Sequence, residues 1–152
     1  MNIKLRPVEP SDFNRCAEIR GMTGDNPISI EVLESIGITE STWAPQVKDG
    51  TIVGVVATVS ETIIGFCSGE ANSGEVLVLA LLPEFENYGV GKKMLFNVME
   101  LLFESGNEQL WLAASTDPKI RAHGFYRHLG WSPTGNIDQN GDEILFYQQP
   151  EI

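Results

Sequence analysis

The stretch LLPEFENYGVGKKMLF, Leu81–Phe96, places two glycines and two lysines at the start of an apolar helical pattern, just behind a proline that closes a run of strand residues. From Gly91 the spacing predicts a helix, because Met94, Leu95, Val98, Leu101 and Leu102 recur on one face and Gly106 supplies a stop. Upstream, the segment is apolar at every position from Val76 to Leu82, which predicts a strand in the middle of a sheet with both faces covered. Strand, proline, loop and glycine-opened helix form a turn suited to an anion. The first amides of a helix lack acceptors, their dipoles add toward that end, and glycine lets a ligand approach the backbone. Glu86, a carboxylate at the entrance, stands against this reading.

Two common phosphate turns do not fit. A Walker A loop ending at Gly91-Lys92 would have Glu86 where its first glycine belongs and Lys93 where a hydroxyl belongs. A dinucleotide fingerprint starting at Gly89 would need glycine at Met94, and no acidic ribose partner follows in a parallel unit.

Outward from this stretch, IKLRPV (Ile3–Val8) predicts an opening strand, and Ser11 is the expected cap of a helix presenting Phe13, Cys16, Ala17 and Arg20 on one face. Two short helices begin at Ser29 and Thr39, with Pro45 expected to limit the second. After Gly50 three strands follow with tight turns at Glu61 and at NSG, predicting an antiparallel meander that ends in the apolar strand. Beyond the central helix come a strand QLWLAAS, a helix over DPKIRAHGFYRHLG, and a hairpin turning at Asn140-Gly141. With no linker or repeat, residues 1–152 read as one α/β domain.

The chain has 152 residues, a length at which a single core is the default. Ten basic and twenty-one acidic side chains give a net charge of −11 without a segregated basic patch, which disfavours nucleic acid and favours encounter with a cationic partner. No segment is apolar over the ~18 residues that a membrane helix needs, so no membrane association is expected. The N-terminus lacks an apolar leader pattern, and the expected compartment is the cytoplasm. Cys16 and Cys67 lack CxxC spacing and read as buried thiols. His123 and His128 have no Cys, Asp or Glu at ligand spacing, so no metal site is expected.

ENYGVG (Glu86–Gly91) resembles the acyl-CoA signature [Q/R]-x-x-G-x-[G/A] of the GNAT acetyltransferases, departing at its first position. RAHGFYRHLGW (Arg121–Trp131) is similar to the family's second block, roughly R-A-x-x-F-Y-x-x-x-G-[F/W]. The resemblance covers essentially the whole chain. It implies an α/β (α+β) fold with a mixed, mainly antiparallel sheet of about seven strands and four to five helices, and acetyl-CoA as cosubstrate. It places CoA contacts at Glu86, Asn87, Tyr88, Gly89, Val90, Gly91 and Lys92, and main-chain contacts at Leu79, Ala80 and Leu81.

The family's tyrosine that faces the CoA sulfur corresponds to Tyr126. Glu75, eleven residues before Glu86, matches the offset of the glutamate base in some members; Glu70 competes for that role. Where the second block often starts with Asn, this chain has Lys119, which together with Arg121 is a candidate for the CoA 3′-phosphate. The acceptor is expected between the N-terminal helices and the C-terminal hairpin. There Asp25, Glu34, Glu40, Asp138, Asp142 and Glu143 face no compensating lysine, and Trp43 is the aromatic candidate for the pocket wall. These features predict as acceptor a small cationic amine, polyamine-like or amino-acid-like, or a peptide N-terminus, in preference to a thiol, an alcohol or nucleic acid; oligomeric state is left open, a homodimer included. The competing expectation is a CoA-binding sensor without turnover, with Glu86 and Lys119 as marks of decay.

Overall fold

The computed structural model describes residues 2–24 and 26–150. Its elements follow the expected order: β1 (Ile3–Pro7), α1 (Phe13–Arg20), α2 (Ile30–Ser35), α3 (Glu40–Asp49), β2 (Ile52–Val59), β3 (Thr62–Glu70) and β4 (Glu75–Leu81), then α4 (Val90–Glu104), β5 (Gln109–Ala114), α5 (Arg121–His128), β6 (Ser132–Ile137) and β7 (Glu143–Gln148). The seven strands form one sheet in the order β1-β2-β3-β4-β5-β7-β6. Every neighbouring pair is antiparallel except β4 and β5.

The β2–β3–β4 meander forms as its turns dictate. Ser60 and Glu61 both take positive φ, as a two-residue hairpin turn requires. Helix α4 is the main core element, burying Val90, Met94, Leu95, Val98, Met99 and Leu102. Each such side chain contributes about 1.5–3 kcal/mol relative to exposure, well above any surface ion pair here. The helix presses on the sheet where β3 has glycines. A Cβ at Gly65 would lie 3.2 Å from Met94 Cε, and one at Gly69 would lie 2.8 Å from Leu102 Cδ1.

Four local expectations are corrected. Ser11 caps nothing: residues Pro10–Asp12 form a 3-10 turn, and the Asp12 carboxylate accepts from the Glu9 amide at 2.8 Å and from both Arg6 terminal nitrogens at 2.9 Å. Pro45 lies inside α3, which runs on to a left-handed Gly50; its missing donor leaves the carbonyl of Ser41 to solvent, where water can satisfy it. Helix α5 starts at Arg121, because Asp117 turns its carboxylate onto the Lys119 amide at 2.9 Å and Ile120 is extended. Strand β4 is central, yet one face is open, with Leu77 42% exposed.

The open face has a topological cause. Strands β4 and β5 pair at Glu75–Trp111 and then diverge, while β5 stays paired to β7 along its length to Ala114–Glu143. The apolar side chains of β4 therefore line a cleft. A bulge adds to this: Gly69 pairs with Val76 and Ser68 with Val78, which leaves Leu77 as the extra residue.

Candidate active site

The divergence of β4 from β5 opens a cleft of about 740 Å³, walled by β4, the end of β5, α5, the C-terminal end of α1 with its following loop, and the start of α4. At the α4 end, Gly89 takes φ +77 and its carbonyl accepts from the Lys93 amide at 3.2 Å, closing the first helical turn. The amides of Val90, Gly91 and Lys92 precede that bond and have no protein acceptor among the described residues. Asn87, at φ +70, supplies a second left-handed residue in the same turn. These amides, with the Lys92 side chain, form the anion-binding end of the cleft.

Glu86 lies at this mouth, but its partner differs from expectation. Instead of Lys92 or Lys93, its Oε2 accepts from Arg121 Nη1 at 2.8 Å, while Arg121 Nη2 donates to Asn87 Oδ1 at 3.1 Å. The N-terminus of α5 is thereby tied to the anion turn. Gly24, on the loop after α1, lies nearby: a Cβ built there would sit 3.6 Å from Glu86 Oε1 and 3.9 Å from Pro83 Cγ. Glu86 thus ties α5 to the anion turn beside the Gly24 loop, and Arg121, which the sequence made a candidate for a phosphate, is paired with it.

Tyr126 lies on α5 and lines the cleft, although the residue is only 8% exposed. Ring contacts with Phe125 at 5.2 Å and Trp131 at 6.1 Å fix its plane. Its hydroxyl has no hydrogen-bond partner among the described residues. Burial raises its pKa well above the usual phenol value, with nearby Cys67 acting the same way and Arg20 opposing, so the phenol holds its proton.

Glu75 sits where the two strands still pair, directly opposite Glu70 across β3–β4. Burial, then the Glu70 charge, raises its pKa. Its neighbour Val76 lines the cleft, whereas Glu75 itself is not one of the lining residues and lies next to them along β4. Leu79 and Leu81 line the cleft, whereas Ala80 is buried on the other side of the strand and offers only its backbone. Tyr88, 61% exposed, and Lys119 stand outside it.

On the acceptor side the structure redistributes the acidic groups. Glu143 is buried and paired with Arg127 at 2.5 Å, so it is compensated by an arginine, and His123 Nε2 lies 3.7 Å away. Asp142 lines the cleft, and burial followed by the Asp138 charge raises its pKa. Asp25 lies outside the described residues. Trp43 meets Phe13 in a tilted ring contact, centroids 5.6 Å apart, and is not part of the cleft wall. Sequence reasoning missed Arg20, the last residue of α1, because an arginine at a helix C-terminus reads as a cap. It also missed the bulge at Leu77, which apolar composition does not signal.

Among the described residues no group of three His, Cys, Asp or Glu side chains could hold a metal, and no helix is long and apolar enough to cross a membrane.

Solved structures share this architecture. The PaiA N-acetyltransferase of Thermoplasma acidophilum, solved with coenzyme A, superposes with a TM-score of 0.80 at 21% identity, covering 98% of this chain and 100% of that one. The yncA protein of Salmonella typhimurium, solved with acetyl-CoA, gives 0.74 at 14% identity over 100% and 96% of the two chains. The ribosomal-protein-S18-alanine N-acetyltransferase of Escherichia coli gives 0.68 at 16% identity over 95% and 91%. At these identities the likeness speaks for the fold. No curated protein matches the sequence. A family model does, across residues 24–131, which include most of the cleft lining, and by that match the chain belongs to the acetyltransferase (GNAT) family.

Proposed function

We propose that the protein transfers the acetyl group of acetyl-CoA to a primary amine of a small acceptor or a peptide N-terminus, by direct attack in a ternary complex. The observation that carries this reading is the pairing, in one cleft, of a turn with free amides and a tyrosine whose hydroxyl is unpartnered. The cosubstrate supplies a thioester whose carbonyl carbon is attacked as its C–S bond breaks. The amides of Val90, Gly91 and Lys92 hold its pyrophosphate. Main-chain groups on the open edge of β4, from Leu77 to Leu81, receive the pantetheine arm and the carbonyl oxygen as it becomes anionic. Glu75, directly or through water, takes a proton from the acceptor ammonium, and its raised pKa suits that task. Tyr126 gives its proton to the departing sulfur and regains one from solvent; a phenol kept protonated is a donor suited to a thiolate.

The acidic loops and the net charge of −11 draw a positively charged amine toward the cleft at modest salt. A thiol-release screen with acetyl-CoA across amines, amino acids and peptide N-termini, followed by mass spectrometry of the product, tests the reading. Thiol release coupled to acetylation of an amine nitrogen is expected. Stabilisation by acetyl-CoA without release on any amine would replace this reading with a binding module of the same fold.

A further inference from the structure

Arg20 is the cation of the cleft that the proposed chemistry leaves unused. It ends α1, is partly buried and lines the cleft. One Nη donates to the Asn26 carbonyl at 2.7 Å. Among the described residues this is its only hydrogen-bond acceptor, and no carboxylate there lies within ion-pair distance. A guanidinium carries five N–H donors in a planar fork, so most of them are unspent. Burial lowers its pKa, and Arg20 and Tyr126 both line the cleft.

A partly desolvated guanidinium with one carbonyl partner is costly, and such groups are ordinarily matched by an anion. The phosphates of the cosubstrate are assigned above to the α4 amides, Lys92 and Arg121, a different set of lining residues. The thioester is neutral. Among the described residues no anion is left to match Arg20, and the acceptor is the remaining ligand that can bring one. We propose that Arg20 binds a carboxylate of the acceptor, which makes the acceptor an amino-acid-like amine in preference to a polyamine or a peptide N-terminus. This rests on the acetyl-transfer reading above. A carboxylate fits the planar fork through two parallel hydrogen bonds, and its single charge suits a protein of net −11 better than a doubly charged group would. Across the cleft, Asp142 and Asn140 on the β6–β7 hairpin provide polar groups for the ammonium of the same molecule. An acceptor held at both ends would present its amine beside Tyr126.

The test uses matched sets: amino acids, the amides of the same amino acids and the corresponding decarboxylated amines, with acetyl-CoA and the full chain, read as kcat/KM from thiol release. The acids should exceed their amides and decarboxylated forms at least tenfold. Arg20→Gln should bring that ratio close to one, and Arg20→Lys should restore part of it. A ratio near one in the unaltered protein, while amines are acetylated, overturns this inference and leaves the acetyl-transfer reading standing. An Arg20→Gln variant that slows acids and amides by the same factor also overturns it, and assigns Arg20 to Tyr126. No release with any member of the sets, while a peptide N-terminus or a polyamine is acetylated, overturns this inference alone; no release with those acceptors either removes both readings. Retention of the acetyl-CoA thermal shift shows that the variant is folded; if it is not, the ratio in the unaltered protein still decides.

Discussion

Replacing Glu86 separates two opposite roles for a carboxylate at a phosphate-binding mouth. Its side chain is 31% exposed and that of Arg121 48%, and the two meet at 2.8 Å. An ion pair so exposed is worth at most about 1 kcal/mol. When the pyrophosphate arrives, Glu86 both repels it and competes for Arg121, so Glu86→Gln removes one unfavourable contact and frees one cation. The pair energy bounds the gain, and about 1 kcal/mol corresponds to roughly fivefold tighter binding. Glu86→Arg, which restores the basic residue common at this signature position, should gain at least as much. Calorimetric titration of acetyl-CoA into both variants, into Arg121→Gln and into the double variant Glu86→Gln/Arg121→Gln closes the cycle. Loss of Arg121 should cost more once Glu86 is gone, and the difference should shrink at high salt, where charges beyond a few ångströms are screened. Weaker binding in both Glu86 variants would refute this reasoning. It would mean that the carboxylate holds Arg121 and the Gly24 loop in the geometry the ligand needs.

Tyr126→Phe should lower kcat by tenfold or more with little change in acetyl-CoA affinity, since the hydroxyl has no structural partner to lose; equal turnover would remove it from the chemistry. Glu75→Gln should lower the rate at least tenfold on the alkaline side and abolish the limb that rises as Glu75 ionises, checked by kcat/KM against pH. The same change should raise the thermal midpoint at neutral pH. A carboxylate whose folded pKa is raised lowers stability as pH climbs above the unfolded value, so the gain should vanish below about pH 4. Asp12→Asn should destabilise the fold by about 1–3 kcal/mol in urea titrations at pH 7. Burial alone would raise the Asp12 pKa, but the Arg6 fork, the Glu9 amide and the Arg6 charge outweigh it and hold it low. That stability is present above the unfolded carboxylate pKa and is lost as pH falls through it and on through the lower folded value.

The periodicities that carry the fold are local, and they were legible: α4 repeats on one face because that face is buried, and the hairpin residues Ser60, Glu61 and Gly141 stand where positive φ is needed. What stayed hidden depends on distances along the chain. The apolar run of β4 has the composition of a strand covered on both faces, but it is open because β5 diverges, and divergence leaves no mark in either strand. Arg121 meets Glu86 across 35 positions, too far for any helical or strand spacing to reveal. Glu143 resembled its acidic neighbours until α5 brought Arg127 against it. Tyr126 was placed by its block, yet only the cleft shows that its hydroxyl is unspent.

The single pair Glu75–Trp111 has a mechanical meaning. It divides the sheet into two halves, β1–β4 and β5–β7–β6, whose main-chain connection is one rung wide, with α4 as the splint across them. An elongated ligand lying along β4 takes the place of the missing ladder, so occupancy couples the cooperative unfolding of the two halves. Amide hydrogen exchange should register this directly. Amides on the open edge of β4 and in β5 should slow together on saturation with acetyl-CoA, whereas those of β1 and β2, which are already laddered, should change by no more than the global gain in stability.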